Sequence, residues 1–216
     1  MPQRQRRRAL RLLSLAALGA GGHLALIRAA LAAGHAQGIV RMTGNVSIDD
    51  APAAVGQVLR PGQVIETGPD SEAVLVMGED AFLLHADSSF GMGSTAGVTV
   101  LRYLTGRILS VFGKGRKTLR TPTATIGIRG TGCYIAAEET QTYFCLCYGS
   151  AEVQPDGAPQ QRRLLHTTHH EQPLMIGAGN APMAAAKVLD HTDDELVMLE
   201  ALVGRVPPFH GKTSPY

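Results

Sequence analysis

The sequence predicts an all-β fold, a compact antiparallel sheet stack of the sandwich or solenoid-like kind, with one short helix near the carboxyl end. From residue 38 to about residue 153, short alternating runs are separated by Gly, Pro, Asn and Asp, which is the signal of strands joined by tight turns. No amphipathic helical pattern interrupts this stretch. The absence of Trp and the presence of only five Phe indicate a core built from Val, Leu, Ile and Ala.

The individual strands follow from where the alternating runs start and stop. Turn residues such as Gly68-Pro69-Asp70 and Gly113-Lys114-Gly115 supply the backbone angles that tight turns need. In chain order, the predicted strands are Gly38–Thr43, Asn45–Ile48, Gln63–Glu66, Ala73–Val76, Ala81–Leu84, Gly97–Leu104, Arg107–Val111, Lys117–Arg120, Thr123–Ile128, Gly132–Ala137, Thr142–Cys147 and Ala151–Val153.

The composition changes after the predicted strands. Residues 154–191 are rich in His, Pro and Gly, which predicts an ordered excursion followed by a linker. Thr192 and Glu195 then form a capping-box pattern, in which the hydroxyl and the carboxylate each accept a hydrogen bond from a free backbone N–H. A helix is expected over residues 193–203, with Gly204 as its stop. Residues 192–216 would make up this helix and a tail.

The first 36 residues have the pattern of a secretory signal helix. Arginines precede the apolar run LLSLAALGAGG, and small residues follow it. The stretch QRRRALR is also similar to a twin-arginine signal. An uncleaved anchor is the alternative, but His23 and Arg28 interrupt the apolar run before the roughly 20 residues that span a bilayer. We expect cleavage after Ala36 or Ala32 and a periplasmic or secreted protein.

The basic charge of the sequence belongs to this signal. Residues 1–36 contain six Arg and no acid, so their removal leaves 14 of the 20 basic residues against 18 acidic ones, a formal charge of −4. This balance gives no indication of nucleic-acid binding. The one short basic run, Lys114 to Arg120, is interpreted as a solvated turn. No later segment is apolar for long enough to span a membrane after signal cleavage.

Residues 38–153 resemble a FecR domain, the periplasmic part of bacterial iron-dicitrate-type regulators. The resemblance rests on motifs in the right order over more than half of the chain. They include Gly38-x-Val40, Gly44-x-Val46, Gly62 to Gly68 with Thr67 before the glycine, Thr121-Pro122-x-Ala124, and the pair Gly130 and Thr131. The glycines have structural explanations, since Gly68 precedes a proline in a reversing turn and Gly130 marks a bend in a β-branched run.

The resemblance implies a sensing or binding role, with three departures. Anti-sigma regulators of this family carry a cytoplasmic domain and a membrane helix before the FecR domain. This sequence begins with an export signal, so we expect both parts to be lacking. The family usually has an aromatic residue at the position of Cys133. Ordinary strand residues usually stand at the positions of Cys145 and Cys147.

All three cysteines lie in one predicted hairpin, with Cys133 before the turn. Cys145 and Cys147 follow it and share a face of their strand, because they are two residues apart. A turn centred on Glu139 or on Thr140 places Cys133 opposite one member of the pair, with all three sulfurs on one face.

A turn centred between residues 139 and 140 gives a different register. Cys133 then shares a face with Phe144 and Leu146, away from the other two cysteines. The family pattern favours this second register, because Phe144 and Leu146 have the character of core residues.

Three interpretations of the thiols stay open. A cross-strand disulfide from Cys133 suits an oxidising compartment and leaves one odd thiol. A metal site of two or three thiolates, with an imidazole from His166, His169 or His170, suits Zn or Cu. The third interpretation is inert packing of small buried side chains. His85 is expected to end a strand, and His191 to interact with the first turn of the helix.

The sequence contains no catalytic motif that would indicate an enzyme. It lacks a phosphate-binding glycine loop, a zinc-protease motif, a nucleophile elbow and any organic-cofactor motif. We therefore expect a non-enzymatic exported sensing or binding module whose partner is a periplasmic or envelope protein or a small ligand. The alternative is a metal- or haem-related binding protein that uses the three cysteines with His169 or His170. A second alternative is thiol–disulfide exchange, although a mid-strand pair lacks the helix start that lowers a thiol pKa.

Overall fold

The chain folds mainly into strands, as the computed structural model shows for residues 37–95, 97–181 and 183–211. The predicted signal helix and its cleavage sites lie outside these residues. The strands are β1 Gly38–Thr43, β2 Val46–Ile48, β3 Ala51–Pro52, β4 Val64–Thr67, β5 Glu72–Met77, β6 Asp80–Leu84, β7 Ser89–Thr95, β8 Val98–Val111, β9 Arg116–Arg120, β10 Ala124–Ala137, β11 Gln141–Pro155, β12 Arg163–Thr167, β13 Leu174–Gly177 and β14 Ala184–Ala185. A short 3-10 helix, Pro159–Gln161, precedes β12, and one α-helix, α1, spans Asp193–Leu202.

The described strands form one 14-stranded sheet, which confirms the predicted all-β class. The main path runs β14-β13-β11-β10-β9-β8-β7-β4-β2-β3, while β1, β5 and β6 join it through β8, and β12 pairs with β11. The pairing is antiparallel except between β8 and β9, which run parallel. Residues 154–191, predicted as an excursion and linker, contribute β12, β13 and β14 to this same sheet.

Three of the strands are longer than the sequence predicts. β8, β10 and β11 each join two predicted strands across a glycine. In β10 and β11 these glycines are Gly130 and Gly149, whose φ angles of 58° and 101° lie in the left-handed region. The β10–β11 register shifts between Arg129 and Cys133, so both strands bend at a bulge instead of ending there. β7 is a strand that the sequence did not predict, because its run SFGMGST is polar and rich in glycine.

The two faces of the bent sheet contribute to two different hydrophobic cores. The larger core lies on one face and contains Phe82, Phe90, Cys133, Phe144 and Leu146 among its buried residues. The second core lies on the other face, where side chains of β5, β6, β8, β10 and β11 pack against α1. This second face carries the candidate site.

Helix α1 begins and ends at the predicted signals. Thr192 and Glu195 form a reciprocal capping box, and Gly204, with φ 70°, follows the helix. Its buried residues include Leu196, Met198 and Leu199. Among the residues that the structure describes, no helix is long and apolar enough to cross a membrane.

Candidate metal centre

Four side chains with metal-ligand atoms converge where β11, the loop after β12 and the start of α1 meet. They are Cys145, Cys147, His170 and His191, and their four ligand atoms all lie within 4.8 Å of one another. Cys145 Sγ is 3.4 Å from His170 Nδ1, and Cys147 Sγ is 3.5 Å from His191 Nε2. The two ring nitrogens are 3.0 Å apart.

These separations are close to the edges of a tetrahedral zinc site. With Zn–S bonds of about 2.3 Å and Zn–N bonds of about 2.0–2.1 Å, tetrahedral angles place S and N about 3.6 Å apart and the two N about 3.3 Å apart. The observed S···N distances of 3.4 and 3.5 Å agree with these values, and the N···N distance of 3.0 Å is slightly shorter. Small movements of the side chains would therefore place one ion among all four atoms.

The strand geometry of β11 supplies the two thiols. Side chains alternate along a strand, so Cys145 and Cys147 point to the α1 side while Phe144 and Leu146 point into the larger core. Both cysteine side chains are fully buried. The two sulfurs, which are two residues apart on β11, therefore lie side by side on the face of the sheet below α1.

His170 reaches the thiols through an unusual backbone conformation. Its φ of 61° lies in the left-handed region, which is uncommon for a residue with a Cβ. Its backbone N–H donates to the carbonyl of Cys147 at 3.0 Å, and its side chain is only 3% exposed. Strained residues of this kind are concentrated at functional sites.

His191 is placed by the start of helix α1 and by an aromatic ring. The residue directly precedes the cap residue Thr192, and its Nδ1 lies 2.6 Å from the carbonyl oxygen of Leu189. The imidazole stacks on Tyr134 of β10, with ring centroids 4.6 Å apart and an angle of 11° between the planes. Because Nδ1 lies against the carbonyl, Nε2 is the ring nitrogen that faces Cys147 and the other ligand atoms.

Asp193 contacts the outer ring nitrogen of His170, as the Leu189 carbonyl contacts the outer ring nitrogen of His191. The carboxylate lies 3.2 Å from His170 Nε2 and 2.9 Å from His169 Nε2. Burial acts to raise the pKa of Asp193, but hydrogen bonds from His169 and His170 hold it below its usual range. A carboxylate that accepts from the outer nitrogen of a histidine orients the inner nitrogen towards a metal, and this arrangement is typical of metal-binding histidines.

The two thiols differ in acidity. A hydrogen bond from the Cys147 thiol, together with hydrogen bonds from His170 and His191, lowers the pKa of Cys145 to about 4, although burial acts in the opposite direction. Burial and the neighbouring Cys145 raise the pKa of Cys147 well above its ordinary value. At neutral pH one thiolate is therefore already present, and the second thiol holds its proton.

Cys133 lies apart from this cluster. It pairs with Leu146, because the hairpin turn is centred between residues 139 and 140. The register is the one that the family pattern favoured, and Cys133 packs in the larger core on the opposite face. Cys133 is therefore placed neither as a third ligand nor as a disulfide partner, and all three cysteines are free thiols.

The predicted histidines have different positions. His170 lies in the cluster, and His169 contacts Asp193 beside it while its ring stacks on Phe209 at 4.3 Å. His166 lies outside the cluster, on the exposed part of β12, where its Nδ1 is 3.0 Å from Ser150 Oγ.

His191 and Asp193 are site residues that the local sequence patterns do not identify. Those patterns predict only that His191 contacts the first turn of the helix and that Asp193 belongs to the helix. Because α1 packs across the sheet, His191 reaches the thiol of Cys147, more than 40 positions away, and Asp193 reaches His170. The sequence feature that could have identified them is their position on either side of the cap residue Thr192. Once the helix is docked, this position sets the direction of both side chains.

No protein-family model matches the chain. No curated protein matches it either. Two similar solved structures are described as a "putative anti-sigma factor" from Parabacteroides distasonis ATCC 8503, with TM-scores of 0.48 and identities of 12% and 11%. Each similarity covers 57% of this chain and 58% of the other chain, so the chain matches less than two thirds of those proteins. The FecR resemblance remains a prediction from the motifs.

Proposed function

We propose that the chain is a zinc-binding, non-enzymatic module in which one Zn(II) ion is held by Cys145, Cys147, His170 and His191. The convergence of these four ligand atoms within 4.8 Å carries the proposal. The hydrogen bonds that the two imidazoles donate to the Leu189 carbonyl and the Asp193 carboxylate orient both rings and support it.

The charge of the ligand set favours a divalent ion. Two thiolates and two neutral imidazoles carry a charge of −2, which Zn(II) neutralises, whereas Cu(I) would leave a net negative charge in a buried site. Leaving such a charge unpaired away from water is costly. Zn(II) also takes four N and S ligands in tetrahedral geometry.

The closed ligand set supports a structural or sensing role instead of catalysis. A catalytic zinc keeps one position for water or substrate, whereas here the protein supplies all four ligands. The thiols are fully buried in the middle of a strand, which also does not favour thiol–disulfide exchange. In this proposal, the bound ion joins β11 to the loop after β12 and to the start of α1.

We further propose that this module senses or binds a protein or a small ligand in the cell envelope. The order of the FecR-like motifs and the signal-like first 36 residues support it. Cross-linking in whole cells, followed by purification of the chain, tests this part. Recovery of the chain only from the cytoplasm, without a cross-linked partner, would overturn it.

Elemental analysis and cobalt substitution test the metal site. We expect about one zinc per chain, and a Co(II)-loaded protein with thiolate-to-cobalt charge-transfer bands and the strong visible bands of tetrahedral cobalt. Cys147→Ser and His191→Ala should remove these bands. Cys133→Ala and His166→Ala are the matched controls, and both should keep them.

Two results would contradict the metal proposal. One is a protein that binds no zinc or cobalt when it is purified reduced and then loaded. The other is equal loss of the cobalt bands in the control variants, which would place the ligands elsewhere.

A further inference from the structure

A row of four polar side chains crosses the sheet beyond the bulge, on the uncovered part of the face that carries the metal centre. Arg116 of β9 is directly opposite Arg129 of β10, Arg129 is opposite Ser150 of β11, and Ser150 is opposite His166 of β12. Directly opposed residues share a face, so the four side chains stand side by side. With strands about 4.8 Å apart, this arginine row is about 14 Å long.

The two arginines of this row have no acidic partner. Neither Arg116 nor Arg129 forms an ion pair with any residue that the structure describes, and both are exposed. The nearby acid Glu152 is already paired with Arg162 at 3.1 Å. Like charges placed directly opposite on a sheet are destabilising, so this pair works against folding unless a negative charge lies between them.

The row lines a groove that has room for a ligand. The groove has a volume of about 750 Å³, and all four side chains of the row contribute to its wall. Gly127 forms part of its floor, and no atom lies within 4 Å of the position where a Cβ would stand. Ser150 Oγ and His166 Nδ1 are 3.0 Å apart, so the pair adds a hydroxyl and an imidazole next to the guanidinium groups.

We infer that the arginine row binds an oxyanion of the phosphate type. The planar forks of two neighbouring guanidinium groups match the oxygens of a phosphate, and the hydroxyl and imidazole extend the set of hydrogen-bonding groups. A ligand with two phosphate groups fits the length of the row better than a single phosphate. This site is independent of the metal centre, because none of its four residues is a metal ligand.

Calorimetric titration of the purified protein with pyrophosphate tests the site. We expect saturable binding that Arg116→Gln and Arg129→Gln each weaken about tenfold, because each removes charge-assisted hydrogen bonds. Ser150→Ala should weaken binding less. Arg60→Gln is the matched control: Arg60 is exposed in a distant turn, and its loss should change the Kd by less than about twofold.

The source of the anion is distinguished with vesicles. A lipid headgroup would be identified by two results together. The protein would co-sediment with phosphatidylglycerol vesicles but not with phosphatidylcholine vesicles, in a manner that depends on Arg129, and it would not bind pyrophosphate. Pyrophosphate binding without vesicle binding would identify a soluble ligand. Absence of both, or an Arg60→Gln effect equal to that of Arg129→Gln, would overturn the inference. Since the altered side chains are exposed, circular dichroism should show an unchanged fold in every variant.

Discussion

Removal of the metal should release helix α1 while the sheet stays folded. The helix has only ten residues, and isolated helices of this length are unstable in water. His191, directly before the cap, faces the Cys147 thiol, and Asp193 in the first turn contacts His170, so a bound ion would stabilise the docked helix directly. A chelator should therefore expose the apolar surface of β6 and β8 that α1 covers.

The size of the effect follows from the contacts of the helix. Burial of an apolar side chain contributes about 1.5 to 3 kcal/mol, so five of them contribute about 7 to 15 kcal/mol. Ordering residues 193–203 costs roughly 16 kcal/mol, so the ordering cost offsets the burial. An ion at a hundred times its Kd adds about 2.7 kcal/mol to the stability of the docked helix. The buried side chains are Leu196, Met198, Leu199, Leu202 and Val203.

Hydrogen–deuterium exchange measures this release. Since about 2.7 kcal/mol corresponds to a factor of about one hundred, amides of α1 should exchange about a hundredfold faster after chelation. Amides of β6 and β8 should keep their protection. The Cys133→Ala variant should show the same metal-dependent difference, and Cys147→Ala should show none. Equal helix exchange with and without metal, or loss of protection throughout the sheet, would refute the reasoning.

Three further predictions concern the same region. Asp193→Asn should weaken zinc binding about 10- to 100-fold, measured by competition with a coloured chelator, because the carboxylate orients His170; an unchanged affinity would contradict this role. Zinc binding at neutral pH should release at least one proton, because the pKa of Cys147 is raised, and calorimetry in buffers of different ionisation enthalpy measures it; zero release would contradict the assignment. Arg205→Ala should destabilise the protein by roughly 3 kcal/mol in urea unfolding, because it leaves the buried Glu200 without its cation; Glu200→Gln in the same background should restore part of the loss.

Most of the fold could be predicted from local patterns. Alternation and turn residues place β1, β4, β5 and β6 within about a residue or two of their observed bounds. Glycine is the main source of error, since the predicted strands stop on either side of Gly130 and Gly149, whereas both lie at a bulge inside continuous strands; the bend expected at Gly130 coincides with this bulge. A single glycine has the same local signal in both cases, and only pairing with neighbouring strands decides between them.

The candidate site was predictable only in part. The spacing of Cys145 and Cys147 fixes their common face, and the family pattern favoured the register that separates them from Cys133. The choice among three neighbouring histidines depends on the left-handed turn at residue 170, which no local propensity indicates. The position of His191, the fourth proposed ligand, depends on the docking of a helix more than 40 residues away, so predicting it requires the tertiary fold.

The bulge explains how one sheet face carries two candidate sites of different chemistry. Gly149 separates the proposed metal ligand Cys147 from Ser150 of the arginine row, and a Cβ at Gly149 would lie 2.8 Å from the carbonyl oxygen of Gly130. Before the bend in β11, helix α1 covers the face and excludes water, which suits thiolates and neutral imidazoles. After the bend the face is open, which suits guanidinium groups that must remain hydrated until an anion binds. Side chains three residues apart point to opposite faces of a regular strand, so the register shifts at this bulge are what place Cys147 and Ser150 on the same face.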